Sequence, residues 1–346
     1  MNEKSKNKEQ YGYVRIYTFN IKNPVAFINE FIRLVSLLPR NGLIIDVRGN
    51  GGGHIWAAEG LLQTLTPYAI TPEPTQFINT SLNADICGKH NKNPAGIDLS
   101  HWHESIRDAI ATGAIYSRPY PITTSDFANR WGQHYHGPVV LITDARCYSA
   151  TDLFAAGFQD HMIGTIIGID KNTGAGGANV WTHSLLKKLS DMVEGEFSPY
   201  ETLPKKAGMR VSIRRTLRVG DRAGTPVEDI GVTPDIEHKM TKNDLLNGNE
   251  DLINCAIRAL KALPVRQLDV DTEIGKSTVS IKAVTRGLDR LDTYIDDRPM
   301  SSVLIKKGAT ASYEVELPKN STVLSIAGHD KGDWVATRSI QLKWPD

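Results

Sequence analysis

No apolar run in this 346-residue chain reaches the roughly 18 residues that a membrane-crossing helix needs, so a transmembrane role is not expected. Charge of either sign is not in excess: 40 Lys+Arg against 39 Asp+Glu leave a formal +1, which excludes a whole-chain field for nucleic acid or an anionic membrane. Cysteine is scarce. Cys87, Cys147 and Cys255 are far apart and odd in number, which argues against a disulfide framework and against a thiolate metal cluster, and favours a reducing compartment. The polar start MNEKSKNKEQ has no apolar segment behind it, so the expected location is cytoplasmic, or secreted or periplasmic if an upstream segment has been removed. No internal repeat or low-complexity tract is present.

The length suits a sizeable core and roughly two domains. After a polar tail (1–10), YGYVRIYTF (11–19) alternates like a strand, and NPVAFINEFIRLVSLL (23–38) reads as a helix capped by Asn23 with Pro24 at its first position. Its apolar stripe is Ile28, Phe31, Ile32 and Val35. A near-continuous apolar strand (42–50), a helix (55–65), a second such strand (138–144), a helix (149–160) and a third strand (162–169) give the order of an α/β layer with buried parallel strands. The stretch 70–130 loses periodicity and is read as a lid or insertion. RVSIRRTLRVG (210–220) reads as one strand, and NEDLINCAIRALKAL (249–263) as a closing helix. From 268 to 346, short alternating runs separated by turn residues predict a small β-sandwich after the α/β domain of residues 11–263.

Four stretches carry candidate chemistry. DVRGNGGG (46–53) lets backbone amides approach a ligand without Cβ obstruction, as an oxyanion hole, a phosphate cradle or merely a tight turn. The Gly-Lys-Ser/Thr ending of a phosphate loop is missing. PVVLITDARCYSATDLFAAGFQD (138–160) runs a strand through a turn into a helix, so Ser149 is either a nucleophile beside free helix-start amides or, like Thr151, a helix cap. NTGAGGANV (172–180) either lines a substrate groove through Gly174, Gly176 and Gly177 or is only a loop. VEDIGVTPD (227–235) places Glu228 before a turn.

In this order, the four stretches resemble the core of the tail-specific (C-terminal processing) peptidases and their tricorn core protease branch, over residues 11–260. The resemblance implies a ClpP/crotonase-like spiral α/β fold and a serine nucleophile within Ser-Ala-Ser/Thr-Glu/Asp, here SATD, hence Ser149. It also implies oxyanion donors from the amides of Ala150 and the glycine turn, Gly52 with Gly51 as neighbour. The chain departs from the pattern at the base. The lysine of the Ser-Lys type falls on Gly174, with Lys171 the nearest lysine. The tricorn type uses a histidine from a segment upstream of the first strand, supported by a glutamate that matches Glu228. His54 is the first in-chain candidate for that histidine. His134 and His136 are expected at the far end of the nucleophile strand.

Two further groups carry less. SHWHE (100–104) has no third spaced ligand in what reads as a loop, and is taken as a surface cluster. Cys147 precedes the helix start that would activate it. The expected activity is a serine endopeptidase acting on peptides or proteins, without metal or cofactor, with homo-oligomerisation left open. The alternatives are a catalytically silent peptide-binding relative, or a peptidase whose histidine lies on an upstream segment. No PDZ domain is visible, and the sandwich is either a docking module or a structural cap.

Overall fold

The computed structural model describes residues 9–92, 98–176, 180–192, 198–306 and 308–344. Its centre is a five-stranded, all-parallel sheet in the order Gly12–Arg15, Leu43–Asp46, Val139–Thr143, Thr165–Gly168, Ile236–Glu237. The two middle apolar runs are buried along their whole length, because both sheet faces are covered. Strand alternation divides them between two cores. Leu43, Ile45, Val139 and Leu141 face the helices Pro24–Ser36, Ile55–Gln63 and Ala150–Asp160, whereas Ile44, Val140 and Ile142 face the closing helix Glu250–Ala262 through Leu252, Ala256 and Leu260. Asn23 caps the first helix as expected, accepting from the Ala26 amide at 3.1 Å.

One expectation is extended and one corrected. The stretch 70–130, without periodicity in the sequence, carries the helices Ser81–Lys89, Ser100–Thr112 and Ser125–Ala128 and the strand Pro74–Phe77, around a separate core of Phe77, Ile86, Trp102, Trp181 and Ile213. Its Asn- and Thr-rich composition hides this because those residues serve as caps, as where Thr80 accepts from the Asn83 amide. The single strand expected over 210–220 is two. Arg210–Ser212 pairs with Val180–Thr182, while Arg214–Thr216 pairs antiparallel with Pro74–Phe77.

After the closing helix the chain is wholly antiparallel. Gln267–Ile274, Thr278–Arg286 and Thr310–Glu316 form one sheet, and Arg298–Leu304, Arg290–Ile295, Val323–Asp330 and Asp333–Gln341 the other. Leu268, Ile281, Leu291, Leu324 and Ile326 fill the space between them. The sandwich abuts the α/β unit at His136, whose Nε2 lies 3.0 Å from the Thr337 carbonyl, and at Gln133, whose Oε1 accepts from the Thr337 amide.

Candidate active site

Two turns at the carboxyl ends of adjacent parallel strands are tied together. Asp144 accepts from the Gly49 and Arg146 amides at 2.9 and 3.0 Å, and the Cys147 thiol donates to the Val47 carbonyl at 3.2 Å. The buried Asn50 completes the tie: its amide group donates to the Ile16 carbonyl, and its own carbonyl accepts from the Tyr148 amide. This brings the glycine turn against the serine. A Cβ on Gly52 would lie 2.4 Å from the Tyr148 carbonyl oxygen and 2.7 Å from Ser149 Cβ, and with φ +93° only glycine fits there.

Ser149 begins the Ala150–Asp160 helix with φ +55° and ψ −122°, a conformation a non-glycine residue holds only at a cost of about 1–3 kcal/mol. Its side chain makes no capping hydrogen bond, and the buried Thr151 hydroxyl has no partner among the described residues, so neither is a side-chain cap of this helix. Strain on an uncapped serine at a strand-to-helix turn is the geometry in which an exposed hydroxyl is presented beside helix-start amides. Among the described residues neither the Ala150 nor the Gly51 amide has an acceptor, and a Cβ on Gly51 would meet nothing within 4 Å. The Gly52 amide is different: it donates to Asn50 Oδ1 at 2.9 Å, so this expected oxyanion donor is already engaged.

The glycine-rich loop packs on the same turn. The Gly174 amide donates to the Cys147 carbonyl at 2.8 Å, and a Cβ on Gly174 or Gly176 would fall 2.3 or 2.1 Å from the Tyr148 ring. Gly177 lies outside the described residues. Asp152, one turn along the serine helix, accepts from the Gly176 amide at 3.0 Å. Burial pushes its carboxyl up to about 6, against the opposing pull of the Thr173 hydroxyl and the Gly176, Ser149 and Ala175 amides.

The Glu228 turn joins the same assembly. Thr173 and Val232 exchange hydrogen bonds at 3.0 and 2.8 Å, and a Cβ on Gly231 would meet the Thr173 carbonyl at 2.8 Å. Both Glu228 carboxylate oxygens accept from the Thr216 amide at 2.9 Å. Burial pushes Glu228 up to about 7, and the neighbouring Asp152 charge adds to the rise. Two more carboxyls lie behind the serine helix. Glu59 is pushed up to about 7 by burial, and Glu73, 4% exposed with neither oxygen hydrogen-bonded among the described residues, is raised well above its ordinary value.

The histidines are not gathered in the same way. Among the described residues, no hydrogen bond links Ser149 Oγ to His54, Glu228 or Lys171. The His54 ring is half-buried and packs 5.7 Å from the Trp56 ring, and burial lowers its pKa. His134 and His136 precede the nucleophile strand, and their rings bond the Trp131 and Thr337 carbonyls at 3.0 Å. Lys171 is exposed. SHWHE is on the Ser100–Thr112 helix rather than in a loop: His101 stacks on Tyr120, and no cluster of three potential metal ligands exists among the described residues. Cys147 is buried and its thiol is held protonated by burial.

The sequence reading assigned no role to Asn50, Tyr148, Asp152, Glu59 or Glu73. Only Asp152 carried a local signal, as the last residue of SATD.

The profile of peptidase family S41 matches residues 10–238. No curated protein matches the chain at a significant level. Among solved structures, mature CPAF aligns at 18% identity with a TM-score of 0.52, covering 73% of this chain and 52% of that one. Mature CPAF complexed with lactacystin aligns at 17% identity with a TM-score of 0.52, covering 73% and 51%. The photosystem II D1 C-terminal processing protease aligns at 19% identity, TM-score 0.38, covering 74% and 48%. The chain thus spans about half the length of these proteins and shares the fold of mature CPAF. Among the described residues no helix is long and apolar enough to cross a membrane.

Proposed function

Because the chain belongs to peptidase family S41, we propose that it is a serine endopeptidase that hydrolyses peptide bonds through an acyl-enzyme on Ser149. The observation that carries this reading is the strained, uncapped Ser149 held against Gly52 at the start of a buried helix. The hydroxyl attacks the scissile carbonyl while a histidine takes its proton. The oxyanion is held by the Ala150 amide and, since Gly52 is engaged by Asn50, by Gly51. The protonated histidine then delivers its proton to the departing amine, and water cleaves the ester by the reverse sequence. Glu228, half-buried beside Asp152, orients the histidine.

His54 is the proton acceptor within this chain, half-buried, with its pKa lowered by burial, and two residues from Gly52. Catalytic hydrogen bonds often tighten only around bound substrate. A second reading is favoured by the lack of any histidine on Ser149 Oγ among the described residues: the histidine comes from a chain segment or copy outside them. The substrate is an extended peptide laid along the Gly174–Gly176 loop, and the three free thiols suit a reducing compartment.

The test is turnover of internally quenched peptides. Ser149→Ala is expected to fall to background and Glu228→Gln to fall in part, with retained folding. A loss of about 10³-fold or more in His54→Ala assigns the base to this chain. An unchanged rate moves it elsewhere. Unchanged turnover in Ser149→Ala would overturn the proposal.

A further inference from the structure

The α/β unit and the sandwich do not close completely on one another. A cavity of about 390 Å³ lies between them, walled on one side by Arg40, just after the Pro24–Ser36 helix, and by His134 and His136, just ahead of the nucleophile strand. Asp269, Asp271 and Arg338 wall it from the sandwich.

The guanidinium groups on this wall are not equally spent. Arg33 is fully engaged by Glu30 through two bonds of 2.8 and 2.7 Å. Arg40 Nη1 donates to the Val35 carbonyl at 3.2 Å, but its Nη2 stands 3.7 Å from Asp269 Oδ1, too far for a hydrogen bond. Asp269 is itself held by the Gln267 side chain. Among the described residues the Arg338 guanidinium makes no hydrogen bond or ion pair. Burial lowers His134 and takes His136 down to about 4, and the Arg40 and Arg338 charges push both rings further the same way, against a smaller pull from Asp269 on His136. The field at the two rings is therefore positive.

The histidines define what else the cavity lacks. A carbonyl only accepts, so the 3.0 Å contacts of His134 Nε2 with the Trp131 carbonyl and of His136 Nε2 with the Thr337 carbonyl put the ring proton on Nε2. In the neutral ring Nδ1 is then an acceptor. His136 is 6% exposed, and its Nδ1 has no partner among the described residues. The cavity thus offers guanidinium donors to an anion together with one buried acceptor that needs a donor. At neutral pH a carboxylate or a sulfate brings acceptors alone. A hydrogen phosphate group brings both, anionic oxygens for the arginines and an O–H for Nδ1.

We propose that this cavity binds a phosphate group that keeps a proton, held between Arg40 of the α/β unit and Arg338 of the sandwich, with its O–H donated to His136 Nδ1. Contacting both units, the ligand clamps the sandwich to the α/β unit. The group belongs either to free phosphate or to a phosphate monoester, and the cavity has room for a small monoester.

The experiment titrates the full chain by calorimetry with inorganic phosphate, sulfate and glycerol 3-phosphate, at matched ionic strength and at pH 5 and pH 8. Inorganic phosphate keeps an O–H at both values, whereas a monoester loses its last proton at about pH 6. Phosphate is expected to bind at least tenfold more tightly than sulfate at both, and to raise Tm as it saturates the site. A monoester that outbinds phosphate at pH 5 and weakens at pH 8 names the monoester as the source, and phosphate that binds as well or better at pH 5 names the free ion. Arg338→Gln should weaken phosphate tenfold or more while leaving the Tm of the free chain unchanged. In nitrogen-15 spectra, phosphate should shift the His136 Nδ1 signal and not that of His90, whose Nδ1 is also buried without a partner among the described residues. Equal affinity for sulfate, an unmoved His136 signal, or undiminished binding by folded Arg338→Gln overturns the proposal. If Arg338→Gln does not fold, the sulfate comparison and the His136 signal still decide.

Discussion

The sandwich and the α/β unit bury different chemistry. In the sandwich the fully buried polar residues, among those described, are the hydroxyls Thr285, Thr293 and Ser321, and each is satisfied, by the Ala309 carbonyl, the Tyr313 hydroxyl and the Pro318 carbonyl. The α/β unit, residues 70–130 included, buries ionisable groups with atoms left over, among them both Glu73 oxygens, one oxygen each of Glu59 and Asp152, Arg214 Nε and one ring nitrogen each of His90 and His136. An unsatisfied buried polar group costs about 1–3 kcal/mol, and more if charged. In the sandwich such atoms sit on partly buried residues, Arg290, Ser301 and His329, whereas in the α/β unit they also sit on fully buried ones, of which the raised carboxyls Asp152, Glu59 and Glu73 lie on or behind the serine helix.

The contrast breaks most sharply on activity. Ser149→Ala should lower peptide turnover by about 10⁴–10⁶-fold with little change in Tm, whereas Leu291→Ala, which empties the centre of the sandwich, should cost about 2–5 kcal/mol in a denaturant titration and leave turnover per folded molecule unaltered. Turnover that falls with Leu291→Ala in proportion to stability alone keeps the contrast, and a collapse in fully folded protein breaks it.

Two glycines with almost the same φ sharpen it further. Gly52 (φ +93°) has the Tyr148 carbonyl 2.4 Å from its would-be Cβ, whereas Gly332 (φ +95°), in the sandwich, has nothing within 4 Å. Gly332→Ala should cost about 1 kcal/mol from backbone strain alone, and Gly52→Ala about 2–4 kcal/mol, with loss of activity as the serine turn is displaced. Equal costs in calorimetry would remove the close packing of the two turns from the account.

The smallest expected effect is in the pH dependence. Glu59, Glu73, Asp152 and Glu228 all hold their protons more tightly folded than an unfolded chain would, with Asp152 at about 6 and Glu59 and Glu228 at about 7. Raised carboxyls add stability that is complete below the unfolded value near 4 and is lost as pH climbs through the folded values, because the native state then binds more protons than the unfolded one. Tm should fall between pH 5 and pH 8. Glu73→Gln, which stays neutral, should raise Tm at pH 8 by a few degrees and change it little at pH 5. An equal shift at both values would show that Glu73 does not titrate across this window.

Local signals were legible and long-range ones were not. The Asn23 cap, the buried parallel strands and the strand-turn-helix at Ser149 each depend on a few consecutive residues, and each appears where the pattern placed it. The split of 210–220 depends on two different partner strands, and the helices of 70–130 on a separate core, neither of which a local period records. The engagement of the Gly52 amide by Asn50 follows from a side chain folding back on its own turn, which composition cannot reveal. Arg214 reads as one more strand arginine until Phe77 and Trp181, distant along the chain, are seen beside it.

The central claim is that Ser149 is an activated nucleophile, and intact-mass measurement after incubation with a fluorophosphonate addresses it directly, with Ser149→Ala alongside. The account predicts one adduct per wild-type chain and none on the variant. A folded wild-type chain that stays unlabelled, or an adduct that persists in Ser149→Ala, would contradict it.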